Sequence, residues 1–412
     1  ILDHHLGSEE DPKCHSIVNP NRQIESGVLS YLCAAGVVFL TLVECGRQLK
    51  DSNKTSPNLM DYLDLVALGT VADVAPLTGV NRAFVRQGLK ILSNRKRLGL
   101  KSLIDKSGIN SSPTSYHLGY ILGPKLNAPG RIGPADLALR LLCSSSPAEA
   151  NDLCEQIQEL NSQRREIEKI AREQALAQID KNQSENSIIW AASEGWHPGV
   201  VGIVASRLKD KFNKPSIVIG FDGIDGKGSG RSVDGYDLGH AIQRLQREGL
   251  IQKGGGHRMA AGLSLTVDQL KPAMDRLCEL AGKAKIVNAE AQELMVDGIL
   301  FIQAAKIDLI EELENCGPFG SAIREPRFAF CDVSLSFTKR VGDNHLKVRF
   351  SDDNGKSMDA ICFRAFEGKL GQELSEHDGK KVHLVGKLDI NYWQGKKSPQ
   401  LILEDAAWSA EF

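Results

Sequence analysis

No Cys-x-x-Cys pair occurs in the chain, although nine cysteines are scattered through it. That spacing excludes zinc knuckles and ribbons. An odd number of dispersed thiols also argues against a disulfide framework and fits a reducing, cytoplasmic setting. No apolar run is long enough to span a bilayer. The best candidate, Leu29 to Leu42, carries Gly36, is too short, and reads as a buried core helix. A secretory signal is missing, and so is an initiator methionine. Ile1 begins in mid-strand, so the chain reads as a piece of a longer protein lacking part of its N-terminal domain. A strong charge of one sign is absent too: 50 Lys and Arg against 52 Asp and Glu leave −2. Near-neutrality does not exclude a nucleic-acid partner, because a local basic groove can be offset by acids elsewhere. What 412 residues of ordinary apolar content imply is a soluble globular protein of two or three domains.

Nucleotide-loop signatures are also missing where the glycines invite them. Gly226-Lys227-Gly228-Ser229-Gly230-Arg231-Ser232 would need Gly at Phe221 and Ser or Thr at Gly228 to be a Walker A loop. It contains no G-x-G-x-x-G, since its glycines alternate strictly, and Ser229 is not in a G-x-S-x-G elbow. What remains is open backbone with two hydroxyls and an arginine, an arrangement that can cradle an anion. Gly254-Gly255-Gly256-His257 reads as a second such loop; a plain flexible turn is the alternative.

From Ile1 to about Ala150 the pattern is α/β. Helices are expected over Val28–Leu49, Leu59–Leu68, Asn81–Leu92 and Ser115–Leu122, with Ile17-Val18-Asn19-Pro20-Asn21 a short extended segment closed by turn residues. A long amphipathic helix follows, from about Pro147 to Asp180, with Leu153, Ile157, Leu160 and Ile167 at helical spacings and a supporting Glu168–Arg172 pair. Its polarity suits a connector between domains, or an ordinary half-buried helix. Strands at Ile188–Ala191 and Ile217–Ile219, and helices at Val200–Phe212 and Asp237–Arg247, form a second α/β domain ending near Lys285. The remainder is mostly β. Leu346, Val348 and Phe350 alternate, as do Leu388, Ile390 and Tyr392, and Asn354-Gly355 suits a hairpin. Several short strands in about 120 residues suggest a small barrel.

Functional chemistry concentrates in a few places. Ile1-Leu2-Asp3-His4-His5 resembles the end of a buried strand of a parallel sheet, where functional groups often project. Carboxylate and imidazole suit Mn²⁺, Mg²⁺ or Zn²⁺. In a continuing strand, however, only one of the histidines could share a face with Asp3. Asp73, after the apolar run Leu65–Ala72, is by itself a solvated or capping acid. Asn127-Ala128-Pro129-Gly130-Arg131 reads as a tight turn presenting an arginine, either merely exposed or clamping a phosphate. In the β region Lys339, Arg340, Lys347, Arg349, Lys396 and Lys397 accompany Tyr392 and Trp393. Interleaved cations and aromatics suit a single strand of nucleic acid. Tyr392 is in phase with Ile390 and can be core, which leaves Trp393 as the better stacking residue.

Taken together, Asp3-His4-His5, Gly69-Thr70-Val71-Ala72-Asp73, Asn127–Arg131, Trp196–Arg207, Gly228–Ser232 and Gly254–Gly262 resemble, in order, the RecJ family. These are bacterial single-strand-specific 5′→3′ DNA exonucleases of the DHH phosphoesterase superfamily. The likeness spans essentially the whole chain. It implies an α/β architecture: the C-terminal portion of a DHH parallel-sheet domain (residues 1–146), a connector helix (147–182), a DHHA1 domain (183–286) and an OB-fold barrel (287–412). Pro129 stands where the family more often has a small residue.

The resemblance makes His4 and Asp73 direct ligands of Mn²⁺ or Mg²⁺, with Asp3 orienting and tuning the site and His5 facing the scissile phosphate. It places Arg131, Gln163 and Arg207 on the DNA backbone and Ser229, Arg231 and His257 at the 5′ end. The reaction implied is two-metal phosphodiester hydrolysis, with ions about 4 Å apart, releasing 5′-mononucleotides in recombination and repair. The long helix would set the spacing between the two half-sites. Partners implied are single-stranded DNA with a 5′ end, single-strand-binding protein and a RecQ-type helicase, and no membrane. One departure stands out: the family's D-x-D-x-D-G motif, which precedes the DHH strand, is nowhere in this chain. The fragment alone is therefore expected to be inactive. Two further readings stay open: a DHH phosphodiesterase for short or cyclic oligonucleotides, and a non-catalytic single-strand-binding scaffold.

Overall fold

In the computed structural model the described residues are 1–7, 10–182, 186–284 and 293–409; the side chains of 180–182 and of Trp393 also lie outside the description. The described residues form two compact units. One comprises Ile1–Asn94, Ser112–Gly119 and Glu293–Phe412, and the other Arg95–Ser111 and Tyr120–Gln292.

The expected parallel sheet at the start of the chain is represented by one parallel bridge, Leu2 to Val18. Asp3 N–H donates to Val18 O at 3.1 Å and Val18 N–H to Ile1 O at 2.9 Å. Three helices follow: α1 (Ala34–Asp51), α2 (Leu63–Ala72) and α3 (Gly79–Ser93). α1 starts later than the expected Val28. Gly27 takes φ +73°, and Ser30 and Leu32 donate to the carbonyls of Gly27 and Leu29, so the segment before Ala34 is turns. α2 and α3 pack closely because Gly88 leaves room for Ala67, whose Cβ would stand 2.5 Å from any Cβ at that site.

Next come α4 (Leu98–Lys106), α5 (Gly123–Asn127), α6 (Pro129–Ile132), α7 (Leu137–Cys143) and α8 (Pro147–Asn182). The expected turn at Asn127–Arg131 is instead helical. Ala128 has φ −62° and ψ −43°, and Pro129 occupies the first helical position of α6, where its missing N–H costs nothing. α8 buries a stripe that includes Ala150, Cys154, Ile157, Asn161, Arg164, Ala171, Ala175 and Ile179. One side of the helix is thus buried. Glu168 turns back to Arg164 at 2.8 Å rather than forward to Arg172.

The second unit continues with β1 (Ile189–Glu194), α9 (Pro198–Phe212), β2 (Ser216–Asp222), β3 (Asp225–Arg231), α10 (Leu238–Arg247), β4 (Lys253–His257), β5 (Ala260–Thr266) and α11 (Val267–Lys283). The sheet order is β1-β2-β3-β5-β4, with only the β1–β2 pair parallel. Both glycine-rich stretches expected as loops are therefore strands. For β3 the reason lies in spacing: glycine at every second residue places all its glycines on one face. There an added Cβ would meet Phe221 (2.6 Å), Ile219 (2.8 Å) or Leu238 (2.6 Å).

The chain ends in β6 (Gly298–Ile299), α12 (Ile307–Asn315), β7 (Phe328–Val341), β8 (His345–Ser351), β9 (Ser357–Cys362), α13 (Leu370–Ser375), β10 (Lys381–Trp393) and β11 (Lys396–Trp408). Pairings run β7-β8-β9-β11-β10, and β10 returns to β7, closing a five-stranded barrel with a parallel β9–β11 contact. This is the OB-fold arrangement. Its core includes Phe330 and Phe350, edge to face at 5.4 Å. Tyr392 is not core: it is 67% exposed, whereas Ile390 is 6% exposed. No helix among the described residues is long and apolar enough to cross a membrane.

Candidate metal centre and anion-binding face

Asp3, His4 and His5 come together because the strand stops. With Leu2 the last paired residue, the chain is released from strict alternation, and the three side chains each offer a ligand atom within 4.8 Å of the others. Asp3 Oδ1 accepts from His4 N–H (2.8 Å) and His5 N–H (3.4 Å) and is 2.8 Å from His5 Nδ1. These bonds, the His5 side chain first, hold the Asp3 carboxyl below its ordinary range. Asp3 is thus an ionised organiser of the segment, with Oδ2 taking none of the three bonds. His4 Nδ1 lies 3.7 Å from Asp73 Oδ2, although 69 residues of chain separate them. Asp73 is the C-cap of α2, which is what aims it at His4.

Two asparagines support this cluster, and neither was singled out as functional from sequence. Asn19 Nδ2 donates to His5 O (2.8 Å), and Asn21 Nδ2 donates to His4 O (2.7 Å) and Ser30 O (3.1 Å). Asn21 N–H in turn reaches Asn19 Oδ1 at 2.9 Å. Asn-Pro-Asn after a strand-like dipeptide signals a turn; its second role is to fix the backbone of the two histidines. The donor set of carboxylates and imidazoles fits a hard or borderline divalent cation. His4 and Asp73 face each other across the cluster. His5 instead folds onto Asp3, with its side chain 69% exposed.

In the second unit, the expected anion-binding residues occupy one face of the sheet. Register places Arg231, Ala260 and His257 in one row, Ser229, Gly262 and Gly255 in the next, and Lys227, Ser264 and Lys253 in a third. The middle row is nearly bare. A Cβ added at Gly255 would meet nothing within 4 Å, and one at Gly262 only a carbonyl oxygen at 3.9 Å. Backbone lies open there beside the Ser229 hydroxyl, to which Arg231 Nη1 donates at 3.0 Å. Lys227 and Lys253, not singled out for this face from sequence, extend it with two exposed cations.

Helix α9 covers part of the same face. Gly202 lets it approach: an added Cβ would be 3.0 Å from Ser229 Oγ and 3.2 Å from Arg231 Nη2. Its N-terminus is capped by His197, which accepts from Gly199 N–H at 3.0 Å. Arg131 Nη1 donates to Gly199 O at 3.0 Å. Burial, and then the neighbouring charge of Arg131, hold Arg231 below its ordinary pKa. Arg164 is lowered chiefly by burial, with Glu168 opposing, and its Nε finds no hydrogen-bond partner among the described residues. Glu168 also lies 3.7 Å from Arg207 Nε. Guanidinium groups so gathered favour phosphate oxygens. Gln163 is apart from this arrangement in its contacts, donating to Glu159 at 2.9 Å on the exposed side of α8.

On the barrel, four of the six expected cations, Arg340, Lys347, Arg349 and Lys397, have protein partners. Lys347 and Arg349 both reach Asp359 (3.2 and 2.6 Å), Arg340 stacks on Phe366 at 4.4 Å, and Lys397 lies 5.5 Å from the Tyr392 ring centre. Phe337, missed in the sequence, is 46% exposed and is the register partner of Arg349 on β8. Trp393 falls outside the described side chains.

Residues 296–405 match the RecJ OB domain family, and residues 185–283 match the DHHA1 domain family. The single-stranded-DNA-specific exonuclease RecJ of Dickeya dadantii is 36% identical over 422 residues, covering 98% of this chain and 72% of the relative. The chain belongs to the RecJ family. The RecJ of Bacillus subtilis is 33% identical over 99% of this chain, and the chain spans only 51% of that relative's length. The crystal structure of Thermus thermophilus RecJ in complex with Mn²⁺ superposes with a TM-score of 0.83 at 26% identity, covering 99% of this chain and 58% of that one. This membership accounts for the architecture: a DHH-type α/β region, a long helix, a DHHA1 domain and an OB-fold barrel.

Proposed function

We propose that this RecJ-family chain belongs to a single-strand-specific 5′→3′ DNA exonuclease that releases 5′-mononucleotides with the help of Mn²⁺ or Mg²⁺. The observation carrying this reading is the cluster of Asp3, His4 and Asp73, with His4 and Asp73 3.7 Å apart, in a chain of this family. His4 and Asp73 would hold the ion. Asp3 would stay ionised and keep the His4–His5 backbone in place, helped by Asn19 and Asn21. The bound metal would supply an activated water and offset the charge that develops on the phosphate oxygens.

The other residues bind and orient. Arg131 and Arg207 would neutralise backbone phosphates, with Glu168 holding Arg207 in place and Gln163 adding an amide contact. Ser229, Arg231, His257 and the bare backbone of Gly255 and Gly262 would receive the phosphate at the 5′ end, since open N–H groups and a guanidinium need no side chain between them. Trp393 and Phe337 would offer stacking surfaces on the barrel. We assign residues 1–146 to the DHH portion, 147–182 to the connector, 183–286 to DHHA1 and 287–412 to the barrel.

The test uses the protein at its full encoded length, 5′-labelled single-stranded DNA, duplex DNA and a dinucleotide, each with Mn²⁺, Mg²⁺ or chelator. Metal-dependent release of mononucleotides from the 5′ end of single strands is expected, with binding that weakens steeply as salt rises. Cleavage confined to the dinucleotide would replace this reading with that of a small-substrate phosphodiesterase. Binding without cleavage in any metal would leave a scaffold.

A further inference from the structure

The chain leaving Asp73 is fastened at each of its next four residues, and the last fastening comes from far along the sequence. Helix α2 ends in a Schellman-type stop: Val74 N–H donates to Val71 O and Ala75 N–H to Thr70 O, both at 3.1 Å. Val74 has φ +57°. That is the position where this motif ordinarily has glycine, and a β-branched residue there is strained. The Val74 side chain is 71% exposed, so packing does not explain its backbone. Pro76 O accepts from the buried Asn81 at 3.0 Å, and the same amide nitrogen donates to Tyr31 O at 2.8 Å.

Leu77 is only 1% exposed, and its N–H donates to Ser321 O at 2.9 Å. Gly320 lies flush against it: an added Cβ would stand 2.8 Å from Leu77 Cδ1. Two arginines of α3 complete the dock at the C-terminal end of α12. Arg82 donates to Cys316 O, and Arg86 donates to Asn315 O at 3.2 Å. Cations there satisfy orphan carbonyls and complement the helix dipole. A strained residue persists only where its surroundings over-determine it. Here the two fixed ends are α2 on one side and the Leu77–Ser321 anchor on the other.

We infer that residues 315–321, which lead into the barrel, are a positioning element for Asp73. By holding Leu77 they keep the turn at Val74 closed and the carboxylate beside His4. The metal-binding role of Asp73 rests on the function proposed above; the tether does not.

Amide hydrogen exchange on the whole chain tests it, comparing R82A/R86A and Gly320→Ala with the conservative R82K/R86K. Exchange at Ala75 and Leu77 is expected to rise about tenfold or more in the first two variants and to return toward the parent rate in the third. Exchange in β8 should stay unchanged, which separates a loosened tether from general unfolding. Mn²⁺ titration followed by electron paramagnetic resonance should show several-fold weaker binding in the same two variants. Unchanged exchange at Ala75 and Leu77 in both would overturn the inference. Exchange that responds in a chain that takes up no Mn²⁺ would support the tether while removing the metal role of Asp73.

Discussion

Two regions of this molecule assemble their polar chemistry by opposite means. Around Asp3 the chemistry is gathered: a strand ends after Leu2, and three side chains, with Asp73 from α2, converge where alternation no longer separates them. Across β3, β5 and β4 the chemistry comes from side chains left out. Gly255 and Gly262 stand in register with Ser229, so backbone is exposed in the middle of an intact sheet. The first region depends on a few polar contacts of partly exposed groups. The second is fixed by a sheet ladder. Damage to the first should change chemistry more than stability, whereas the second can be damaged in either way depending on the face touched.

The largest effect expected is from His4→Ala in the protein at its full encoded length. Cleavage should fall by more than about 100-fold, beyond the 10–100-fold typical of losing a supporting partner. Single-strand binding should hold, since the guanidinium groups and the glycine floor lie elsewhere in the chain. Cleavage rates and fluorescence-anisotropy titrations check this; unaltered cleavage would remove His4 from the reaction.

A pair of glycine substitutions sharpens the contrast within the sheet. Gly230→Val places a side chain against Leu238, 2.6 Å from the Cβ position, on the apolar face. Overpacking of this kind costs about 1–3 kcal/mol, readable by chemical denaturation. Gly262→Val projects from the opposite face, where the nearest neighbour of a Cβ is a carbonyl oxygen at 3.9 Å. Stability should be kept there, while affinity for a 5′-phosphorylated oligonucleotide drops roughly tenfold, about 1.4 kcal/mol. Equal loss of stability in both variants would show that the faces do not differ as described.

Much of this was legible in the residues, and the exceptions share a cause. Helix α8 and the alternation in β8 follow from periodicity, and the barrel from the density of short strands. The glycine-rich stretches read as loops from their composition; glycine at every second position is the period of a strand, and β3 follows it, whereas the three consecutive glycines of β4 carry no period. The Asn127–Arg131 turn failed for a similar reason: Pro129 breaks a helix in its interior but suits its first turn. Tyr392 shows the limit of phase, since alternation with Ile390 continues past the end of the core and leaves it 67% exposed. At the candidate site, Asp3, His4 and Asp73 were recognisable as types. Nothing local in the sequence could show that Asn19 and Asn21 turn back to the histidine carbonyls, because side chain-to-backbone bonds across 14 and 17 residues leave no periodic trace.

Asn21→Ala tests that support directly. It removes donors to His4 O and Ser30 O, so a loss of about 1 kcal/mol per bond is the upper expectation at this partly exposed position. Thermal unfolding reads the stability change. If the asparagine acts through the histidines, Mn²⁺ affinity should fall by more than stability does, and Asn21→Asp, which cannot donate, should not restore it.

The smallest effect concerns pH. Asp3 is held below its ordinary value of 3.8, first by the His5 side chain and then by the backbone N–H groups of His4 and His5. Its folded-state pKa is thus lower than its unfolded one. The ionised form contributes stability that is fully present above about pH 4 and is lost as pH falls through the depressed value. Because Asp3 is largely solvated, screening keeps this contribution small. It should appear as a slope in denaturant midpoint between pH 5 and 2.5 that Asp3→Asn flattens, the ranges following from ordinary carboxyl values of roughly 4. A slope that survives Asp3→Asn unchanged would assign the acid sensitivity to carboxylates such as Glu248, which Arg276 and Arg244 hold at about 2 in the other unit. The gathered cluster would then be no more acid-sensitive than the sheet with which it contrasts.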